Sequence, residues 1–518
     1  MTPTFIGPLA LVVLLILEVS TGAPAPRRIS NVFSSRSSFP FSSSSSSSSL
    51  SPLVRRVHRM PILRSRRRTL SNAAEVKGIP SWDTLASKLP KAAPKMALDT
   101  ALEASKPHDL LDSSNGGNLV LFRDRNGWCP YSERVWLGLM VKRLEFDEVL
   151  VDNQGYKPNW YYECVGSGST PAVKWEDGSF QTESLDILYE LDRRYPSPDN
   201  DQNPQQPLLA PEHLKEDIKR IVRSFRDIFP RNTRPSSRSA FLFRGSGVLP
   251  REEFEATLDS TDALLGESKG PFFLGEKITL ADIAWVPFLE RYSIQLPLLY
   301  ENLYPRDATR WPNLARFYDA LESEFDVSGY YARVQGDLHS WAKVLASAGY
   351  GNAGHAPKLL EKYGNDENFH LVPSYAEERG GSEERRKILW RHYRELNTNN
   401  AERMCQTPRE EAAAKIIRNH AAILKDATRY LSAEPEDADT ALRAITSAIQ
   451  NGLDPVDAAR ELRTALEGRR EGQDDGVLLQ VTSDLSKYLQ SRICIPRDMG
   501  ALPAFEYRRC LDAIICAA

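Results

Sequence analysis

The sequence predicts an α+β protein: a small domain of mixed strands and helices, an all-helical domain behind it, and a further helical region after that. Three observations carry this. Residues 118–196 alternate short apolar strands with helix-length segments, the chain beyond them repeats apolar side chains at every third or fourth position, and a run rich in Asp, Asn, Gln and Pro from Asp199 to Pro211 separates the two. At 518 residues the chain also exceeds what one core supports, so domains of roughly 100–200 residues each are expected.

The first elements read as an address. Phe5 to Leu17 is apolar apart from Gly7 and Pro8 and is followed by Thr21-Gly22-Ala23, the pattern of a cleavable signal over residues 1–23. The run is short for a bilayer span, which takes ~20 apolar residues. Residues 24–70 turn to Ser and Arg, with eight consecutive Ser at 42–49 and no acid, as an organelle transit segment does. Together the two resemble the two-part presequence of proteins entering plastids bounded by extra membranes; plain secretion, or retention in the endomembrane system, is the alternative. Residues 71–117 read as a linker with a short helix around Trp82 to Leu89.

Order begins at Asn118. Asn118 to Phe122 is a compact apolar strand, Asn126-Gly127 turns the chain, and Pro130 suits the first turn of a helix that runs to about Arg143, because its missing N–H costs nothing there. Leu144 to Val151 alternates as a second strand, Pro158 starts a short helix through Trp160, and Pro171 to Trp175 is a third strand. Asp177-Gly178 supplies a hairpin turn into a fourth strand, Ser179 to Thr182, and a helix from Glu183 to Arg194 ends at Tyr195-Pro196. Strand, helix, strand, helix, strand, hairpin, strand, helix over 118–196 is the thioredoxin-like arrangement.

Residues 212–345 form the helical domain. In Ile278-Thr279-Leu280-Ala281-Asp282-Ile283, Thr279 is placed to cap a helix and Asp282 to answer at its third position, which makes this acid a folding device rather than a catalyst. Within 346–518, the segments 410–431, 437–451, 455–466 and 476–489 read as helices, forming a bundle or a cap that meets a protein partner.

Net charge is −3, but residues 1–70 carry ten Arg against one acid, which leaves −12 for the body. An acidic body without an aromatic-laced basic face is not a nucleic-acid binder. Six cysteines in so long a chain make no disulfide framework, and none has zinc-site spacing, so no metal is expected and thiol reactivity becomes the question.

Trp128-Cys129-Pro130-Tyr131-Ser132 carries the chemistry. With Pro130 in the first turn, Cys129 occupies the helix cap, where unpaired N–H groups and the helix dipole favour thiolate over thiol. Cys129 is therefore expected to alkylate below pH 7, with Tyr131 and Ser132 as candidates for orienting a sulfur substrate. Ser132 stands where a dithiol enzyme would carry a second Cys, so an external thiol must resolve a mixed disulfide on Cys129. Glutathione is the abundant candidate. Cys164 and Cys494 are further thiols that would resolve it only if the fold brought them near.

Cys129-Pro-Tyr-Ser132, Lys157-Pro158-Asn159-Trp160, Thr170-Pro171 and Glu183-Ser184 stand in an order and approximate spacing that resembles omega-like and dehydroascorbate-reductase-like glutathione transferases over roughly residues 118–345. The resemblance implies that residues 212–345 are the helical transferase domain and that Cys129 is the catalytic thiol, with glutathione as co-substrate. It also implies that Lys157 faces the glycyl carboxylate, that Thr170 pairs through its backbone with the cysteinyl part beside a cis Pro171, and that Glu183 and Ser184 hold the γ-glutamyl end. Two departures stand out: Gly166-Ser-Gly-Ser169 replaces the usual apolar approach to the cis-proline, and residues 346–518 extend past the family's fold.

The activity so implied is thiol transfer or dehydroascorbate reduction on a small oxidised or disulfide substrate, in a protein that is free of the membrane after processing and compatible with a homodimer. Conjugation of glutathione to electrophiles is the alternative, and a non-catalytic interaction protein on the same fold is the third reading.

Overall fold

The structure is a computed structural model that describes residues 78–89, 98–99, 106–111, 117–153, 157–197, 207–230, 242–244, 247–323, 325–335, 341, 382–396, 405–431, 433–467, 475–493 and 495–517. The expected signal and transit-like segments, and Cys494, lie outside these residues.

A helix α1 (Trp82–Ser87) with Ser81 as its cap precedes strand β1 (Leu98–Asp99) and helix α2 (His108–Leu111). The domain proper follows: β2 (Val120–Asp124), α3 (Pro130–Val141), β3 (Asp147–Val151), α4 (Asn159–Val165), β4 (Ala172–Lys174), β5 (Phe180–Thr182) and α5 (Ser184–Arg194). The sheet order is β1-β3-β2-β4-β5, with β2 parallel to β3 and antiparallel to β4, and Phe122 pairs with Val149 on one side and Ala172 on the other. This is the expected arrangement plus one edge strand, since β1 runs parallel to β3.

Side chains alternate across β2, as a period of two requires. Leu119 and Leu121 point into the main core with Val135, Leu139, Ile187 and Leu191 of α3 and α5, while Val120 and Phe122 pack on Trp160 and Tyr161 of α4. With both faces covered, every residue of β2 is buried. Several bounds differ from expectation: β2 runs from Val120 to Asp124 rather than from Asn118 to Phe122, β4 is trimmed to Ala172–Lys174, β3 starts at Asp147 rather than Leu144, because Lys142, Arg143 and Leu144 are spent on the helix end and Arg143 takes a positive φ of 56°, and α4 runs on to Val165.

The helical domain comprises α6 (Lys215–Ile228), a short ribbon β6 (Phe243–Arg244) and β7 (Gly247–Val248), then α7 (Arg251–Leu265), α8 (Leu280–Leu299), α9 (Pro312–Ser323) and α10 (Phe325–Val334). Helix α8 is mostly apolar and buried on all sides, its Asp282, Glu290 and Arg291 included, and it sits at the centre of the domain. The Thr279–Asp282 capping box forms, and the Asp282 carboxylate also accepts the Phe273 N–H at 2.9 Å, tying the preceding loop to the helix.

The last region holds six helices among the described residues: α11 (Glu383–Leu396), α12 (Pro408–Ala427), α13 (Pro435–Gln450), α14 (Pro455–Glu467), α15 (Asp475–Arg492) and α16 (Ala501–Ala517). Four were expected from periodicity; α11 and α16 were not. Helices α12 to α16 share a second core of their own, into which Ile79 also packs. The short helix expected around Trp82 to Leu89 forms at Trp82–Ser87, and it straps onto this bundle: Trp82 stacks on His420 at 4.4 Å and donates its indole N–H to Asp439 at 2.9 Å.

The bundle is joined tightly to the body. A Cβ on Gly329 of α10 would lie 2.7 Å from the Cα of Tyr393, so α10 and α11 touch backbone to backbone. Below them Arg123 of β2 pairs with Glu148 at 2.7 Å and lies over the Trp136 ring at 4.0 Å, and Arg333 reaches Glu411 of α12 at 4.0 Å.

Candidate active site

The site assembles at the end of β2, where the chain leaves the sheet for α3. Asp124 closes the strand, and its carboxylate accepts the Trp128 N–H at 2.7 Å, which folds residues 124–128 into a tight loop. Gly127 sits in this loop at φ +67°, a conformation that suits a residue without Cβ. A Cβ there would lie 2.6 Å from Cγ of Pro496, so the loop after α15 rests directly on the segment that leads into Cys129. The far extension therefore reaches the thiol's own loop, which its sequence did not reveal.

Cys129 is the N-cap residue of α3 and Pro130 its first residue, as expected. The thiol lies 3.9 Å from the Thr170 carbonyl oxygen, and the Thr170–Pro171 bond is cis. The backbone N–H groups of Ser132 and Tyr131 and the Ser132 hydroxyl are directed at the sulfur and favour its anion. The expectation of a depressed thiol is nonetheless corrected. Cys129 is only 5 % exposed, and burial, reinforced by the Asp124 carboxylate, pushes its pKa above the ordinary thiol value. A helix terminus acts on an anion that water also stabilises; once the water is excluded, the desolvation cost is the larger effect.

The orienting candidates divide. Ser132 is buried, and among the described residues its hydroxyl has no hydrogen-bond partner other than the sulfur it faces. Tyr131 serves through its N–H, while its ring packs edge-on against Phe288 of α8 at 5.7 Å under the Arg134 guanidinium at 5.3 Å.

Lys157 is half-buried, and its ammonium donates to the Gly168 carbonyl, with burial holding its pKa below the usual lysine range. The polar Gly166–Ser169 approach is held by such bonds: Tyr161 donates to the Ser169 carbonyl at 2.6 Å, and Asn153 to the Thr170 hydroxyl at 2.5 Å. The departure from an apolar approach thus has its own fastening, and it leaves the Thr170 carbonyl beside the Cys129 sulfur.

Glu183 has φ 69° and ψ 106°, outside the regions favoured by residues with a Cβ, and its carboxylate does not cap α5. A strained, exposed acid that does no capping is the kind of residue a ligand site retains. Ser184 follows as the buried first residue of α5, where helix N–H groups lack intrahelical partners.

Sequence reasoning missed the groups that hold the thiol's loop from behind. Arg291 of α8, 3 % exposed, donates to Glu133 at 2.8 Å and to the Trp128 carbonyl at 3.0 Å, and lies over the Trp341 ring at 4.8 Å. Trp128 and Trp341 pack with Ile294 in a small cluster beside Cys129. An acid four residues before Trp128 was the one local signal available; Arg291 is 158 residues from Glu133 and had none. As for the second thiols, Cys164 forms no disulfide among the described residues and packs with the Phe122–Tyr161 cluster rather than with the groups around Cys129.

Known proteins similar to this chain are glutathione S-transferases and proteins related to them in sequence. The signature of the glutathione S-transferase N-terminal domain matches residues 128–194, and that of the glutathione S-transferase C-terminal domain matches residues 251–320. Glutathione S-transferase L3 of Arabidopsis thaliana is 31% identical over 176 residues, covering 33% of this chain and 67% of its own. Protein IN2-1 of Zea mays is 29% identical over 45% of this chain and 86% of its own, and glutathione S-transferase DHAR2 of Arabidopsis thaliana is 27% identical over 40% and 91%.

Proposed function

Since the chain belongs to the glutathione S-transferase family, we propose that it is a glutathione-dependent thiol oxidoreductase, a thioltransferase or dehydroascorbate reductase, with Cys129 as nucleophile. The observation that carries this reading is the sulfur at the cap of α3, met by two N–H groups and the Ser132 hydroxyl, with serine where a second thiol would stand.

The Cys129 thiolate attacks the glutathionyl sulfur of a mixed disulfide, forming Cys129–S–S–glutathione and releasing the substrate thiolate, which takes up a proton. A second glutathione thiolate then attacks that bond, leaves as glutathione disulfide, and returns the Cys129 thiolate. With dehydroascorbate the thiolate adds to a carbonyl carbon. Glutathione attack on the sulfur then gives the same Cys129 mixed disulfide, and the two electrons pass to the organic product. In this reading Thr170, Lys157, Glu183 and Ser184 would offer glutathione a backbone edge, a cation, an acid and a helix end for its amide, carboxylates and amine.

The raised thiol supports a second reading. A Cys129 that stays protonated would donate a hydrogen bond to a bound glutathione thiolate, as a conjugating transferase needs. Cys129→Ser separates the two. Loss of mixed-disulfide reduction and of the glutathione adduct in intact mass supports the oxidoreductase, whereas conjugation of an electrophile that survives the change supports the transferase. Plastid delivery is our reading of residues 1–70, and a fluorescent protein fused behind them should enter plastids; secretion of the fusion would contradict it.

A further inference from the structure

The loop that joins α15 to α16 comes to lie against the turn that precedes Cys129. Pro496 is buried there, and a Cβ built on Gly127 would stand 2.6, 3.3 and 3.6 Å from its Cγ, Cδ and Cβ. A proline ring cannot turn aside, so this contact leaves no room for a side chain at 127. The positive φ of Gly127, 67°, holds the turn in a shape that a residue without Cβ takes freely.

The other end of the loop reaches the helix that Cys129 caps, by way of one residue. A Cβ on Gly500 would lie 3.0 Å from Cδ of Arg333 and 3.5 Å from its carbonyl oxygen, and the Arg333 guanidinium lies over the Trp136 ring of α3 at 5.4 Å. Residues 495–500 thus bear on the chain both before and after the thiol. The loop is itself anchored. Ile495 and Met499 are 1 % and 2 % exposed in the bundle core, and Arg497 pairs with Asp498 at 2.8 Å while donating at 3.0 Å to the carbonyl of Arg492, the last residue of α15.

We propose that residues 495–500 brace the turn at 124–128, and that Pro496 is a positioning residue for Cys129, acting through Gly127. The turn is drawn together from within by Asp124, which accepts the Trp128 N–H at 2.7 Å, and is held from the helical domain by Arg291 on the Trp128 carbonyl at 3.0 Å. The Pro496 ring adds a support on the side of the bundle. Cys129 follows the turn, whereas the N–H groups that face its sulfur belong to α3. A turn displaced by about 1 Å therefore shifts the sulfur against its donors and opens it to water, and misplacement on that scale costs up to ~100-fold in reaction rate. The role rests on the reading of Cys129 as the nucleophile, and it gives the helical extension a task at the thiol.

Iodoacetamide alkylation of Cys129 in the whole chain, mapped by peptide mass over a range of pH, reads the sulfur's surroundings without turnover. Failure here and failure of the oxidoreductase reading under Cys129→Ser are therefore distinguishable. Pro496→Gly should speed alkylation at pH 7 about three- to tenfold, moving the profile about 0.5–1 pH unit to the acid side as the buried thiol gains water. Pro496→Ala, which keeps Cβ and removes Cγ and Cδ, should give a smaller shift in the same direction and serves if the glycine variant does not fold. Gly127→Ala should also move the profile to the acid side, because the new Cβ meets the ring and displaces the turn. Added to Pro496→Gly, the same change meets no ring and should alter the rate by less than about twofold; the backbone cost of Ala at this φ is common to both backgrounds and cancels. Leu466→Ala, which removes volume from the bundle core on α14, should lower Tm and leave the profile unmoved.

An unmoved profile in a folded Pro496 variant, additive effects of the two changes, or an equal shift in Leu466→Ala would overturn the proposal, the last by assigning the effect to the stability of the bundle.

Discussion

Replacing Arg291 with Met tests how the helical domain holds the thiol's loop. The guanidinium lies 2.8 Å from Glu133 and 3.3 Å from Glu290, all three residues are at most 3 % exposed, and it also donates to the Trp128 carbonyl at 3.0 Å. Methionine fills much of the volume but strands buried carboxylate charge, and removing one partner of such a pair costs about 3–5 kcal/mol. For a folded unit of this size each kcal/mol lowers Tm by roughly 2–4 °C, so a fall of about 6–20 °C is expected.

Burial already raises the Glu133 pKa with Arg291 present, and without the guanidinium it rises further. A carboxyl whose folded pKa lies above its unfolded value binds more protons when folded. Its contribution is therefore most favourable at low pH and is lost as pH climbs through the folded value. Arg291→Met should accordingly cost more at pH 8 than at pH 5, and adding Glu133→Gln should recover part of the loss and flatten that dependence. Urea unfolding followed by tryptophan fluorescence measures each, and iodoacetamide trapping of Cys129 should speed up as the Trp128 carbonyl is released. A cost below about 1 kcal/mol, or one equal at both pH values, would refute the reasoning.

The pH profile of Cys129 alkylation should lie to the alkaline side of a free thiol; Ser132→Ala should move it further up and Asp124→Asn down, since the first removes a donor to the thiolate and the second a repelling charge. A profile that ignores both would show that neither group acts on the sulfur. Lys157→Met should raise the KM for glutathione about 10- to 100-fold with a smaller change in kcat, as loss of a charged hydrogen bond of about 1.5–3 kcal/mol does; an unchanged KM would remove Lys157 from the binding site. Trp82→Ala should cost about 1–2 kcal/mol in the C-terminal bundle and expose residues 78–89 to limited proteolysis, and undiminished protection there would mean the strap is held by other contacts.

What was legible in the sequence was local. The strand before Cys129, the proline after it, the hairpin at Asp177-Gly178 and the Thr279–Asp282 cap each act within a few residues, and each stands where its chemistry placed it. The pKa direction of Cys129 was not local. The cap was visible, but the burial that outweighs it depends on how neighbouring elements close over the sulfur, as with the Trp128–Trp341–Ile294 cluster beside it. Helix α16 escaped because its Glu506, Arg508, Arg509 and Asp512 interrupt an otherwise apolar run, so it reads as neither a clean amphipathic stripe nor a core helix. The contact of Pro496 with Gly127 joins positions that no pattern along the chain relates.

The strap at Trp82 has a bearing on how the molecule is made. The indole's partner, Asp439, lies 357 residues further along, and chains grow at roughly 5–20 residues per second, so the ring waits some tens of seconds for its seat. Ile79 and Leu85, fully enclosed in the finished fold, are apolar surface throughout that interval, and closing so long a loop is slow. The strap can seat only after α12 and α13 have emerged, which makes its docking a late event in synthesis and its release the first opening to look for when the chain begins to unfold.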